Sequence, residues 1–199
     1  MTETVSALYD TYSEASSAVS ALETAGIPHS DISIVANNSD NWHHDDRATD
    51  AGTAAGTGAG VGAAVGGVGG LLTGLGLMAI PGVGPVVAAG WLVATAVGAV
   101  TGAAVGGAAG GLVGSLTKAG VPENEAHVYA EGVRRGGTLV TARVSEARAN
   151  EAQSILQRHK HVDVNSRAQG YRQQGWSSFD EKAPVYTADQ VAKERALYR

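Results

Sequence analysis

Between Asp50 and Lys118 the chain carries no charged side chain, and within that stretch glycine recurs every fourth residue. Gly58, Gly62, Gly66, Gly70 and Gly74 form one row, and Gly98, Gly102, Gly106, Gly110 and Gly114 form a second. Residues four apart share a helical face, so each row would be a smooth groove that lets another backbone approach closely. Ile80-Pro81-Gly82-Val83-Gly84-Pro85 lies between the rows. The pattern predicts two glycine-zipper helices over residues 51–118, folded back at a turn built from Pro81, Gly82, Gly84 and Pro85.

Such helices cannot stand alone in water. Eleven glycines fall between Gly52 and Gly76, and each costs about 0.8–1 kcal/mol relative to alanine in an exposed helix interior. Tight packing or an apolar solvent must compensate. Each arm exceeds the roughly 20 residues needed to cross a hydrocarbon core, and a bilayer forces the backbone to bond internally. The strongest apolar residues cluster at the tip, with Leu75, Leu77, Ile80, Trp91 and Leu92 among them. This suits either a hairpin with a small apolar far-side turn or a wedge whose tip stays in the bilayer. The alternative is a soluble glycine core buried by self-association. Flanking charges are mixed, so the positive-inside rule does not orient the hairpin.

Outside this stretch the sequence alternates strands and helices. Val5, Ala7 and Tyr9 alternate with Thr4, Ser6 and Leu8, as in a strand. Thr11 and Glu14 have capping-box spacing before a helix carrying Tyr12, Ala15, Val19 and Leu22 on one face, and Gly26 and Pro28 stop it. Residues 32–36 read as a second strand. Ala119-Gly120-Val121-Pro122 echoes Ala25-Gly26-Ile27-Pro28 and reads as a recurring helix stop. A helix with Ala126, Tyr129, Ala130 and Val133 inward follows Pro122. Residues 138–144 then read as a strand and residues 146–159 as a helix with Ala152, Ile155, Leu156 and His159 inward. Val162 and Val164 suggest a last short strand. Without the insertion the order is βαβ then αβαβ. The expected class is α+β, a ferredoxin-like split βαβ sandwich interrupted by a long glycine-rich α-helical hairpin. Residues 1–36 and 119–165 form its halves, 37–50 a polar linker, 51–118 the hairpin, and 166–199 a polar tail with a short helix near residues 188–198.

No constellation argues for catalysis. A formal net charge of -5 gives no basic footprint for nucleic acid, and the absence of cysteine excludes thiolate chemistry and disulfides. The first ten residues lack the basic, then apolar, pattern of a signal peptide. His43, His44, Asp45 and Asp46 are adjacent in a polar linker, which seldom defines a closed metal site. His159 and His161 sit near a helix end, where His159 favours the dipole. Gly58, Gly60 and Ala63 match a loose dinucleotide pattern but lack the preceding strand that it requires. Arg134 and Arg135 beside Gly136-Gly137 could receive an anion, although basic residues at a helix end also compensate its dipole. No cofactor or metal is expected.

Several stretches resemble bacterial stress proteins of the YflT type, general or heat-induced, including low-temperature-induced forms. They are residues 5–10 (VSALYD), 25–28 (AGIP), 31–35 (DISIV) and 132–140 (GVRRGGTLV). The resemblance covers about residues 3–165. It implies a non-enzymatic, stress-related protein and brings no catalytic residue. Together with the glycine rows it predicts self-association into a homo-oligomer at the lipid bilayer of the cytoplasmic membrane, with the α/β part in the cytoplasm and an effect on membrane packing or permeability. The alternative is a soluble cytoplasmic oligomer whose sheet domain senses a ligand of unknown kind.

Overall fold

The structure, a computed structural model, describes residues 2–43, 75–93 and 111–198. Strand β1 (Thr2–Tyr9) leads to helix α1 (Tyr12–Thr24), a 3-10 turn at His29–Asp31 and strand β2 (Ile32–Asn37). Strands β3 (Gly76–Ile80) and β4 (Gly84–Gly90) form a hairpin. Helices α2 (Gly111–Lys118) and α3 (Glu123–Arg134), strand β5 (Thr138–Ser145) and helix α4 (Glu146–Arg158) follow. The tail holds α5 (Val164–Gln173) and α6 (Ala188–Ala196).

The strands make one sheet in the order β1-β5-β2-β4-β3, with every neighbouring pair antiparallel. Strands β1 and β2 are therefore parallel to each other, with β5 between them. The α+β class holds. The layering differs from a sandwich with all helices on one face. On one face Val5, Ala7, Tyr9, Ile34, Val140 and Ala142 pack with α1 and α4 through Val19, Leu22, Ala152 and Leu156. On the other, Leu8, Val35, Leu139 and Val86 pack with α2 and α3 through Leu112, Leu116, Tyr129 and Val133. With both faces covered, all six residues of β2 are buried, and alternation weakens into a near-continuous apolar run.

Local signals set the helix ends. Thr11 caps α1, its Oγ1 accepting from the Glu14 N–H at 3.3 Å and donating to Glu14 Oε2 at 3.0 Å. The two Ala-Gly-x-Pro stretches are the same helix stop. Ile27 N–H donates to Leu22 O at 3.1 Å and Val121 N–H to Leu116 O at 3.0 Å, with Gly26 and Gly120 at positive φ.

The hairpin tip is corrected. Its turn is residues 81–83, holding Pro81 and Gly82, while Gly84 and Pro85 already open β4, and the flanking residues are strands, not helices. Val83 N–H donates to Ile80 O at 3.0 Å, with Pro81 and then Gly82 at φ 72° between them, a turn that needs glycine in its second central position. Val86 and Val87 favour a pleated, half-buried surface, and β4 finds partners on both edges. Ile80 and Leu92, expected at a membrane tip, are buried in the sheet core. Leu75 packs against the α1–α4 side. Trp91 donates from Nε1 to Asp31 O at 3.1 Å and lies under the Arg143 guanidinium, 4.7 Å from its ring centre. Leu77 stays 36% exposed on edge strand β3. Two further expectations fail. Val164 opens α5 instead of ending a strand, because Asp163 caps that helix by accepting from Ser166 N–H at 2.6 Å. His159, expected inward, follows the last turn of α4 and is only half-buried.

The register also fixes where the chain leaves this framework. Gly76 pairs with Ala88 and Gly90 with Ser33, so residues 75 and 91 share one end of the hairpin. At the turn end, Asn38 N–H donates to Pro85 O at 2.9 Å, and the Asn38 side chain bonds the backbone of His43. Gly111 lies there too, because Glu181 reaches it while its own backbone lies against Gly82. The described chain thus breaks off after residue 43 at the turn end and resumes at residue 75 at the open end, and it resumes at residue 111 at the turn end.

Gly90 at φ 97° shows how tightly β4 is seated: a Cβ there would collide with the Ile32 carbonyl oxygen and lie 2.7 Å from Ser33 Cα. Gly26 at φ 80° faces open space. Gly90→Ala is expected to destabilise by about 2–3 kcal/mol, from steric displacement plus backbone strain. Gly26→Ala should cost only about 1 kcal/mol, from strain alone. Urea unfolding midpoints of the two variants check the difference.

Candidate functional site

The densest polar cluster is built around the C-terminal end of α3. Residues 131, 134 and 135 fall on one helical face because they are three and four apart. Glu131, 1% exposed, accepts from Arg135 Nε at 2.6 Å and from Arg134 Nη1 at 3.3 Å. Arg135 also donates from Nη1 to Gln174 and, at 3.2 Å, to Glu194 Oε1. Its guanidinium stacks 4.2 Å from the Tyr171 ring centre. Burial works against the charge on Arg135, and Glu131, Tyr186 and Glu194 outweigh it, holding its pKa above the ordinary arginine value.

The tail supplies the other half of the cluster. Arg167 on α5 pairs with Asp10 at 2.8 Å and lies 3.6 Å from the Tyr198 ring centre. Burial opposes its charge too, and Tyr171 and Asp10 more than offset this. Arg195 on α6 donates from Nε to Gly136 O at 2.9 Å and from Nη1 to Asp40 at 2.5 Å. Gly136, at φ 108°, allows this approach, since a Cβ would sit 2.5 Å from Val191 Cγ1. Four arginines thus meet four carboxylates, and the cluster is formally neutral.

The cavity at its centre, bordered by Arg135, Arg167, Tyr171 and Glu194, holds about 10 Å³, near the minimum for one water molecule. Its chemistry is that of a lock between the tail and the domain, without room for a substrate. A second, open groove of about 510 Å³ runs between α1 and α4 and is lined by Ala21, Thr24, Glu151, Ile155, Arg158 and His159. Among the described residues no group of three His, Cys, Asp or Glu side chains is placed to hold a metal ion, and no helix is long and apolar enough to cross a membrane.

Of the residues singled out from sequence, Gly58, Gly62, Gly66, Gly70, Gly74, Gly98, Gly102, Gly106 and Gly110 lie outside the described residues, as do His44, Asp45 and Asp46. Gly114 is buried in α2, which packs on α3. Arg134 and Arg135 are engaged by Glu131 and the tail, so the anion-receiving reading gives way to an ionic one. Asp10, Asp40, Arg167, Glu194 and Arg195 were not singled out. The Glu131–Arg135 pair could have been read from its i, i+4 spacing, but nothing local marks partners such as Asp40 and Arg195.

Residues 4–83 match the family model of the heat induced stress protein YflT domain. The matched stretch is shorter than the resemblance expected from sequence and contains most of β1 and all of α1, β2 and β3. No curated protein and no solved structure matches the chain.

Two measurements probe this region. Glu131→Ala should cost about 3 kcal/mol, as expected for breaking a buried pair, with Glu194 left to Arg135 keeping the loss from being larger; denaturant unfolding checks it. Burial raises the phenols of Tyr9, Tyr129 and Tyr171 above the ordinary value of 10.0. The unfolded chain therefore loses these protons at lower pH than the folded one. Their contribution to stability is complete below about pH 10 and declines as pH rises above it. Tyrosinate absorbance from these residues should then appear together with alkaline unfolding, not as a separate titration.

Proposed function

We propose that this protein is a non-enzymatic stress-response protein that works by assembly, its α+β domain holding two uncharged glycine-rich segments, 51–74 and 94–110, for pairing with those of other copies. What carries the reading is where the described chain breaks off and resumes around these segments. Residues 75 and 91 share one end of the β3–β4 hairpin, and residues 43 and 111 share the other. Two segments joined at both ends to one folded domain are presented together, and copies joined through both gain by multivalency. The YflT match supports the stress-response part. The density of ion pairs around α3, with a cavity the size of one water, fits a structural task better than turnover.

A second reading has these segments meet the bilayer, with the folded domain on the cytoplasmic side and membrane packing as the thing altered. The specific observation in its favour is the unbroken absence of charge from residue 51 to residue 117. Against the simplest form of it, Ile80 and Leu92 are already occupied in the sheet core. Carbonate extraction of membranes separates the two: retention in the pellet favours the bilayer, and release as an oligomer favours soluble assembly.

Gly66→Leu combined with Gly106→Leu should abolish self-association while leaving the unfolding midpoint of the domain within about 0.5 kcal/mol of the parent, as for substitutions away from a packed core. Sedimentation velocity reads the first and urea unfolding the second. An unchanged oligomer size would sink the proposal.

A further inference from the structure

The two edges of the sheet are built differently. Strand β1 closes one side, and its last residues are covered: Val162 N–H donates to Leu8 O at 2.7 Å, and Tyr9 bridges to His161. Its first residues carry the exposed charge of Glu3. Covering an edge and charging it both keep a sheet from pairing with another chain. Strand β3 closes the other side and has neither device. It reads Gly76-Leu77-Met78-Ala79-Ile80, with no charge, proline or bulge, and among the described residues no strand pairs with its outer side. Two exposed large apolar residues, Leu77 and Val185, lie at this hairpin, the second against Gly84.

The direction of the backbone groups along β3 follows from β4. Asn38 N–H donates to Pro85 O at 2.9 Å, and Ser33 Oγ donates to Ala89 O at 2.8 Å, so the odd-numbered residues of β4 turn their carbonyls towards β2. In an antiparallel ladder the N–H and C=O of one residue point the same way, and the direction alternates along the strand. Gly84, Val86 and Ala88 therefore bond β3 through Ile80, Met78 and Gly76. Leu77 and Ala79, opposite Val87 and Pro85, turn both of their backbone groups outward.

We propose that β3 is an interface for a second copy of this chain, which adds its own β3 antiparallel about a twofold axis at Met78. That register sets Leu77 against the second copy's Ala79, and Ala79 against its Leu77. Each such pair exchanges both hydrogen bonds, so every outward N–H and C=O of the two strands is used. A twofold at Ala79 would set Leu77 against Pro81, which has no N–H to give. A twofold at Leu77 would set Ala79 against Leu75, which lies outside β3. The side chains agree with the same register. Leu77 and Ala79 follow Leu75 on the α1–α4 side, where both are exposed, and the large residue meets the small one. Met78 meets its counterpart on the α2–α3 side, where it already borders the core. No charge faces its own copy across the axis.

A strand of five residues buries well under the roughly 1,200–2,000 Å² of a stable interface, so this contact is weak and short-lived by itself. It forms at high concentration and escapes dilute sedimentation. It goes beyond the assembly reading above, because β3 alone makes it, with or without the glycine-rich segments.

The test introduces one cysteine into a chain that has none. Met78→Cys in the full chain is oxidised with diamide at submillimolar protein. A non-bonded antiparallel pair brings its Cα atoms to about 4.5 Å, within reach of a disulfide. Disulfide dimer is expected to form well above the rate of Glu3→Cys, which marks the opposite edge. Adding Ala79→Pro removes an outward N–H that β4 does not use. It should slow the crosslinking about tenfold, as expected for losing symmetric hydrogen bonds, and leave the urea midpoint near the parent's. Met78→Cys placed in the Gly66→Leu, Gly106→Leu chain should still crosslink faster than Glu3→Cys in that chain. Crosslinking at the Glu3→Cys rate, as when another part of the chain covers this edge, overturns the pairing, and so does crosslinking that Ala79→Pro leaves unchanged. Crosslinking that disappears with the glycine rows overturns an interface made by β3 alone. None of these results bears on assembly through the glycine-rich segments, which sedimentation of the parent chain reads separately.

Discussion

The fold depends on β5. It is hydrogen-bonded along both edges, to β1 from Thr2↔Ser145 to Tyr9↔Thr138 and to β2 from Ile32↔Ala142 to Ala36↔Thr138. Without it, β1 and β2 would have no bond between them, and neither helix layer would have a continuous surface to cover. This strand arrives only after the whole glycine-rich region has been made, so the sheet must close around a very long excursion. Closure entropy rises only slowly with loop length, so the excursion is tolerated. The stretch that matches the stress-protein model ends at Val83, so the matched part is completed by strands that follow it.

Glycine has two distinct tasks in the chain. At several described positions it admits a neighbouring backbone or side chain. Gly90 seats β4 against β2, Gly136 receives the α6 side chains, and Gly132 lets Leu8 lie directly on α3. Within residues 51–74 and 94–110 it removes side chains from a stretch that also lacks charge. Between those segments, the Val-rich hairpin supplies side chains to a core otherwise short of large residues, with one phenylalanine in the chain.

The tail adds a different kind of bond. The sheet and helices are held by aliphatic burial, which is insensitive to salt. The last residues are held mainly by arginine–carboxylate pairs graded from the buried Arg135–Glu194 contact to the part-exposed Arg195–Asp40 contact. Breaking the buried pair strands a charge, whereas opening the exposed one returns both ions to water.

Much of the element order was legible from residues alone. The cap at Thr11, the helix stops at Gly26 and Gly120, the inward face of α3 and the strand at Thr138–Ser145 all rest on interactions within a few residues. The α+β class follows from them. Three features did not, and each depends on partners distant in sequence. The hairpin around Pro81 is strand because β2 offers its edge to β4, which local spacing cannot reveal. Helices cover both sheet faces because α2 and α3 pack on the face opposite α1 and α4. The cluster at Arg135 exists because Glu194 and Gln174 return to it from the tail. The sequence by itself determined the turns, the caps and the long uncharged interruption, since these are written in backbone preferences and in charge. Only the tertiary structure decided which apolar residues became core and which charges found partners, because burial and ion pairing depend on what the rest of the chain brings alongside.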